Sequence, residues 1–306
     1  MRRTLRAIAA MGTRFELVLE APDAASGRWT NSALNTLAEA CVEEILQWHR
    51  ALSRFEKDSL LSFLNREAHQ RPVRVDPRLA RALLIAREVF DRTAGAFDPV
   101  ASGGTMADVD VVCDAVAFRA RGGAPAPLAL DLGSIAKGLA LDAVQEILTD
   151  ASPTAARELS AFIHGGTSSV FVLGTPSIEP GHPRVRTRRG EHAVPLPMDG
   201  GASHLSVSSA RPAAAHGTAD TSHLRVWGRP LPSHERTAAV RLSGNLADSG
   251  AWAEAWSTAL CVTGDAAPFE TWAAARGVGA WALIDDAQGV HGLNLDCSSR
   301  HALECA

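Results

Sequence analysis

The stretch LDLGSIAKGLALDAV, Leu130–Val144, decides the fold. It opens as the end of a buried strand, Ala129 to Leu132. It then continues as a helix from Ser134 to Asp150, with Ala136, Ala140, Val144, Ile147 and Leu148 returning on one side. Between the two lie Asp131, Gly133, Ser134 and Lys137. A strand-to-helix turn exposes main-chain N–H groups at the positive end of the helix dipole, which suits a phosphate. Gly133 lets the backbone approach closely. Lys137, one turn into the helix, supplies a point charge for an anion. Asp131 can accept hydrogen bonds from a base or a polyol. The spacing GxxxxGK[ST] of a P-loop is absent. The plain alternative is an ordinary Ser134 cap followed by an exposed lysine.

Composition narrows the classes around that turn. The chain has 306 residues, 46% of them hydrophobic and 21% charged, enough for one large core or two smaller ones. A formal charge of −4 argues against a nucleic-acid binder. The one short basic run, RVRTRRG at Arg184–Gly190, reads as a solvated loop. Five cysteines lie scattered without CxxC spacing, which suggests reduced thiols and neither a zinc site nor a disulfide framework. Arg2, Arg3 and Arg6 look like the start of a signal peptide, but the apolar run Ala7–Met11 is too short for one, and no cysteine placed to carry a lipid follows. The sequence therefore reads as cytoplasmic from residue 1, and no window reaches the ~18 apolar residues of a membrane span.

Alternation predicts a strand over Arg14–Glu20. Helical spacing predicts Asn31–Ser53, capped by Asn31 or Ser32, and Pro77–Arg92. Short strands are expected at Val109–Val112, Ser168–Leu173, Ala238–Leu242 and Val278–Ile284, with helices at Trp252–Val262 and Pro268–Arg276. Helices and strands mix without strict βαβ alternation, so the class is α+β, with mixed or antiparallel sheets and packed helices. The segment from Asp285 to Ala306 carries no readable signal.

Other stretches could carry chemistry. In AEAWSTAL, Ala253–Leu260, Glu254 and Thr258 are four apart and face one way on a helix. Together they could offer hard oxygens to Mg²⁺, or simply sit on a solvated face. In TAGAFDPV, Thr93–Val100, Asp98 precedes a proline in a Gly-rich loop, most simply a turn. IHGGTSS, Ile163–Ser169, sets a Gly-Gly pair beside hydroxyls, as a phosphate nest would. His223 shares a polar loop with His216 and Asp220, which could hold a general base, a metal or nothing.

In chain order these pieces resemble the ApbE family of FAD:protein FMN transferases. The matching stretches are AMGTRF (Ala10–Phe15), LSRFEKDSLLSFLN (Leu52–Asn65), TAGAFDPV, LDLGSIAKGLALDAV, GGTSSVFVLG (Gly165–Gly174), LSVSSA (Leu205–Ala210) and AEAWSTALCVTG (Ala253–Gly264). The resemblance implies a T-fold-like α+β architecture, either one domain over 1–306 or two subdomains meeting at an FAD cleft. It implies Mg²⁺-dependent cleavage of FAD, release of AMP and attachment of FMN to a threonine or serine of an acceptor flavoprotein. On that pattern Met11, Phe55, Ala96, Phe97, Asp98, Asp131 and Lys137 contact FAD. The Ser134 carbonyl, Glu254 and Thr258, with Ser257 sometimes added, hold Mg²⁺, and His223 acts as the base. Glu254 stands where the family usually has Asp. The family run HxxDPRTG is replaced by HLRVWGRPL, His223–Leu231. An FAD pyrophosphatase and a non-catalytic FAD carrier are the alternatives on the same site.

Overall fold

The centre of the molecule is an eight-stranded sheet in the order β1-β2-β8-β9-β12-β13-β14-β15. The computed structural model describes residues 1–23, 28–119, 127–151, 158–177, 183–197, 200–210, 234–244 and 246–295. The strands are β1 Arg2–Ala10, β2 Thr13–Ala21, β8 Ser160–Gly165, β9 Ser169–Leu173, β12 Ser203–Ala210, β13 Arg236–Ser243, β14 Gly279–Asp285 and β15 Val290–Asn294. Every pairing in this sheet is antiparallel. Its first strand was not expected from the sequence. In RRTLRAIAA the inward positions are mostly small or polar, so the apolar alternation that marks β2 is missing. The last strand lies in the segment that carried no signal, and pairs Val290 with Asp285 through Asn294 with Trp281.

Among the described residues there are six α-helices: α1 Asn31–Ala51, α2 Leu60–Glu67, α3 Pro77–Arg92, α4 Ala136–Ala151, α5 Ser249–Thr263 and α6 Ala267–Arg276. Helix α1 is capped one residue before the expected Asn31, by Thr30, whose hydroxyl accepts the Ala33 N–H. Helix α3 matches expectation, with Asp76 capping it and Pro77 in its first turn. Helices α1, α4 and α5 pack on one side of the sheet. The hairpin of β10 Arg184–Thr187 and β11 Gly190–Ala193 contributes Val185 to a separate cluster with Leu205, Ala239, Trp281 and Leu283. A smaller layer holds α2, α3, a three-stranded sheet of β3 Val73–Arg74, β6 Ala115–Phe118 and β5 Val109–Val112, and the pair β4 Val100–Ser102 with β7 Ala129–Leu130.

Two main cores follow from this layout. One joins α3, α5, α6 and the small sheets, including the cluster Trp252, Trp256, Phe269 and Trp272. The other joins α1 and the far half of α4 to β2, β8 and β9. Met11 packs against both. Helix α4 lies between neighbours and is buried nearly all round.

The α4–α5 crossing fixes everything that follows. A Cβ on Gly138 would lie 2.3 Å from the Gly250 carbonyl oxygen, and one on Gly250 would lie 2.6 Å from the Gly138 carbonyl oxygen. Only glycine at both positions lets the two backbones come this close. Asp142, one turn further along α4, accepts the Gly250 N–H at 2.7 Å and the Ala251 N–H at 2.8 Å. It therefore satisfies donors that a helix start otherwise leaves open.

Candidate functional site

The turn of the opening stretch leads into α4, with Gly133 exposed and Asp131 and Ser134 half-buried. The Leu132 carbonyl accepts the Ala136 N–H at 2.9 Å, and the Ile135 carbonyl accepts the Leu139 N–H at 3.1 Å. The carbonyls of Gly133 and Ser134, between those rungs, take no main-chain donor among the described residues. One turn on, Lys137 Nζ lies 3.9 Å from Glu254 Oε2, with both side chains largely buried. The first turn of α4 and the α5 carboxylate are thus brought together, as the spacing of either stretch alone could not show.

Around Glu254 is a patch of hydroxyls. Ser169 and Ser206 are directly paired across β9 and β12. Ser208 lies two residues along β12, so it shares the face. All three are buried. The Ser169 hydroxyl donates to Glu254 Oε1. Ser257 Oγ lies 2.9 Å from both Ser206 Oγ and Ser208 Oγ and 3.1 Å from the Glu254 carbonyl. Thr258 Oγ1 lies 3.3 Å from Ser208 Oγ. Sequence reading quoted LSVSSA but gave its serines no role, because buried polar positions at period two do not look like a core strand. Their repetition at i and i+2 was the available signal.

The remaining expected residues fall into four groups. Asp131 and Phe55 are joined by a residue the sequence did not single out: Arg54 is 3.0 Å from Asp131 Oδ2, and its guanidinium lies 4.7 Å over the Phe55 ring. Phe55 is 82% exposed, so its face is open to a planar ligand. The AFDP block meets the same turn through the β4–β7 pair and the Asp131 N–H to Pro99 carbonyl bond. Asp98 Oδ1 accepts the Val100 and Met106 N–H groups and braces its own loop. Ala96 and Phe97 are core side chains, so a ligand meets their backbone at most. Met11 sits in a left-handed turn (φ 50°), and its N–H donates to His49 Nδ1 at 3.1 Å. His223, with His216 and Asp220, lies outside the described residues.

Behind the site, His204 Nδ1 lies 2.7 Å from Ser249 Oγ, and its Nε2 lies 3.6 Å from Asp142 Oδ1. Burial pushes the His204 imidazole down to about 3, so the ring is neutral. Burial also raises the Asp142 carboxyl well above the usual range, against the Ala251 and Gly250 N–H groups that favour the anion. A neutral native histidine contributes stability that is complete above about pH 6.5 and is lost as pH falls toward about 3. Asp142 acts in the opposite sense, because a raised carboxyl contributes most at low pH and loses that contribution as pH rises through its native value. The comparison must therefore be made with Asp142 retained. Urea titrations between pH 6.5 and 4 should show the parent losing more stability than His204→Gln; parallel curves would remove His204 as the acid-sensitive group.

Beside the Lys137 ammonium, the described residues offer three oxygen donors on adjoining elements: the Glu254 carboxylate and Thr258 hydroxyl of α5, and the Ser134 carbonyl ahead of α4. Among the described residues no three His, Cys, Asp or Glu side chains gather anywhere to hold a metal. A sparse oxygen set fits Mg²⁺, which keeps few protein ligands and shares its shell with phosphate and water.

A relative from Rhodobacter capsulatus named FAD:protein FMN transferase is 30% identical over 277 residues, covering 78% of this chain and 49% of the relative. The chain thus spans about half the length of that curated relative. The fold is similar to the ApbE protein of Thermotoga maritima, with TM-score 0.67 and 18% identity over 96% of this chain and 97% of that one. It is also similar to the flavin transferase ApbE of Vibrio cholerae, with TM-score 0.64 and 15% identity over 96% and 97%. A third likeness is to the flavinyl transferase ApbE of Pseudomonas stutzeri, with TM-score 0.65 and 17% identity over 96% and 95%. These bear out the α+β expectation. The ApbE family model matches residues 11–281, a span that runs from the Met11 turn through the α4–α5 crossing into β14, and the chain belongs to the ApbE family.

Proposed function

We propose that this chain is a Mg²⁺-dependent FAD:protein FMN transferase acting on a threonine or serine of an acceptor flavoprotein. The observation that carries the reading is the meeting of Lys137 and Glu254, 3.9 Å apart, with the Ser134 carbonyl, three residues before Lys137, taking no main-chain donor among the described residues. The name of the Rhodobacter capsulatus relative supports the same chemistry. The scattered cysteines support a reducing, cytoplasmic setting.

In this reading the Ser134 carbonyl, Glu254 and Thr258 hold the cation, and Lys137 neutralises a diphosphate oxygen. Bound there, Mg²⁺ offsets the negative charge that shields the diphosphate phosphorus from a nucleophile. Arg54, Phe55 and Asp131 grip the dinucleotide, and the Met11 turn closes one side. The acceptor hydroxyl attacks the FMN phosphorus. A new P–O bond forms, the bond to the AMP phosphate breaks, and AMP leaves. The hydroxyl proton passes to a base, for which His223 is the residue proposed; such a base is worth roughly 10²–10⁴-fold. Most of the remaining acceleration comes from holding the reacting atoms in line.

Incubation with FAD and Mg²⁺, with and without an acceptor protein, tests the reading. Covalent flavin on the acceptor together with AMP is the expected result. Free FMN and AMP without an acceptor requirement would assign a pyrophosphatase, and unchanged bound FAD would assign a carrier.

A further inference from the structure

The family resemblance implies an aspartate where this chain has Glu254, and glutamate's extra methylene gives longer reach and one more rotatable bond. A longer ligand must be pinned if it is to present one oxygen to a small, geometrically strict cation. The sheet supplies the pin. Glu254 Oε1 is taken by the Ser169 hydroxyl, while Oε2 is the oxygen near Lys137. Thr258 is set by the same face. The three close contacts of Ser257 can all be hydrogen bonds only if it donates to the Glu254 carbonyl and accepts from both Ser206 and Ser208. Ser208 has then spent its proton and must accept from Thr258. The Thr258 proton is directed at Ser208, and its lone pairs are left for a cation. By the same count the Ser257 oxygen has no lone pair left, so it orients and does not ligate.

We propose that Ser169 and Ser208, on the buried face of β9 and β12, are positioning residues that aim Glu254 and Thr258 at the cation. The proposal rests on the metal reading given above. It adds that the serine face compensates for the longer carboxylate. The Ser169 bond should therefore matter only while the side chain is long enough to reach it.

Mn²⁺ affinity, measured by electron paramagnetic resonance in the presence of FAD, tests the idea without turnover. Ser169→Ala and Ser208→Ala should each weaken Mn²⁺ binding about 10-fold or more, as loss of a group that orients a ligand does elsewhere. Ser169→Cys, close to serine in shape but a weak donor, should weaken it likewise and covers the case in which the alanine variant fails to fold. Ser208→Thr should restore binding. In an Glu254→Asp background, Ser169→Ala should change Mn²⁺ affinity less than 2-fold. Parental affinity in Ser169→Ala or Ser169→Cys, with Glu254→Gln having lost Mn²⁺, would overturn the positioning role alone. Parental affinity in Glu254→Gln would instead remove the metal reading on which it rests.

Discussion

Glu254→Gln should leave a folded protein that has lost Mg²⁺-dependent turnover, with FMN transfer down at least about 10²-fold. Glutamine matches glutamate in size, and its amide oxygen can still accept the Ser169 hydroxyl, so the packing of α5 on the sheet is preserved. What disappears is the charge. The oxygen facing Lys137 at 3.9 Å becomes an uncharged amide group, and the site keeps its ammonium while losing its anion. FAD should therefore still bind, held by Lys137 and the Arg54–Phe55 platform, while the chemical step fails. Flavin binding by fluorescence and transfer by covalent flavin on the acceptor separate the two. A variant with parental turnover and a parental Mg²⁺ titration would take Glu254 out of the site.

Gly138→Ala should force the two crossing helices apart and destabilise the protein strongly. The added carbon would meet backbone, not a movable side chain, at 2.3 Å from the Gly250 carbonyl oxygen. Helices α4 and α5 must then separate or twist. Either motion stretches the two bonds from Asp142 to the Gly250 and Ala251 N–H groups. Overpacking of this kind costs about 1–3 kcal/mol, and a weakened buried carboxylate–amide pair adds to it, so a loss of about 3 kcal/mol is expected. The same separation would draw Lys137 from Glu254, so Mg²⁺ affinity should fall in step with stability. Thermal denaturation monitored by circular dichroism checks the first part. A melting temperature within a degree of the parent would show that the crossing tolerates a side chain and that the close approach is not required.

That crossing also shows where sequence reading stopped. Helix α3 was legible to the residue because Pro77 and its apolar spacing are both local signals. The strand-to-helix turn and the Glu254–Thr258 pair were legible as separate patterns. Their meeting was not, and rested on resemblance until Lys137 and Glu254 were found together. Asp142 was opaque because its partners lie 108 and 109 residues away, and its own stretch reads simply as one polar residue in an apolar helix. Ser169, Ser206 and Ser208 were opaque for a related reason. Their burial is favourable only because α5 brings Glu254, Ser257 and Thr258 to bond with them, and no local rule anticipates polar partners from another element. Arg54 adjoined a residue already singled out, yet its pairing with Asp131 depends on how α2 and β7 pack.

One measurement bears on the whole account most directly: anomalous diffraction from crystals soaked with FAD and Mn²⁺. The account predicts a single strong peak at about 2.0–2.2 Å, the coordination distance of a small hard cation, from the Ser134 carbonyl, a Glu254 oxygen and Thr258 Oγ1, with the FAD diphosphate completing the shell. A peak elsewhere, or flavin bound away from the 131–137 turn with no cation at α5, would contradict it.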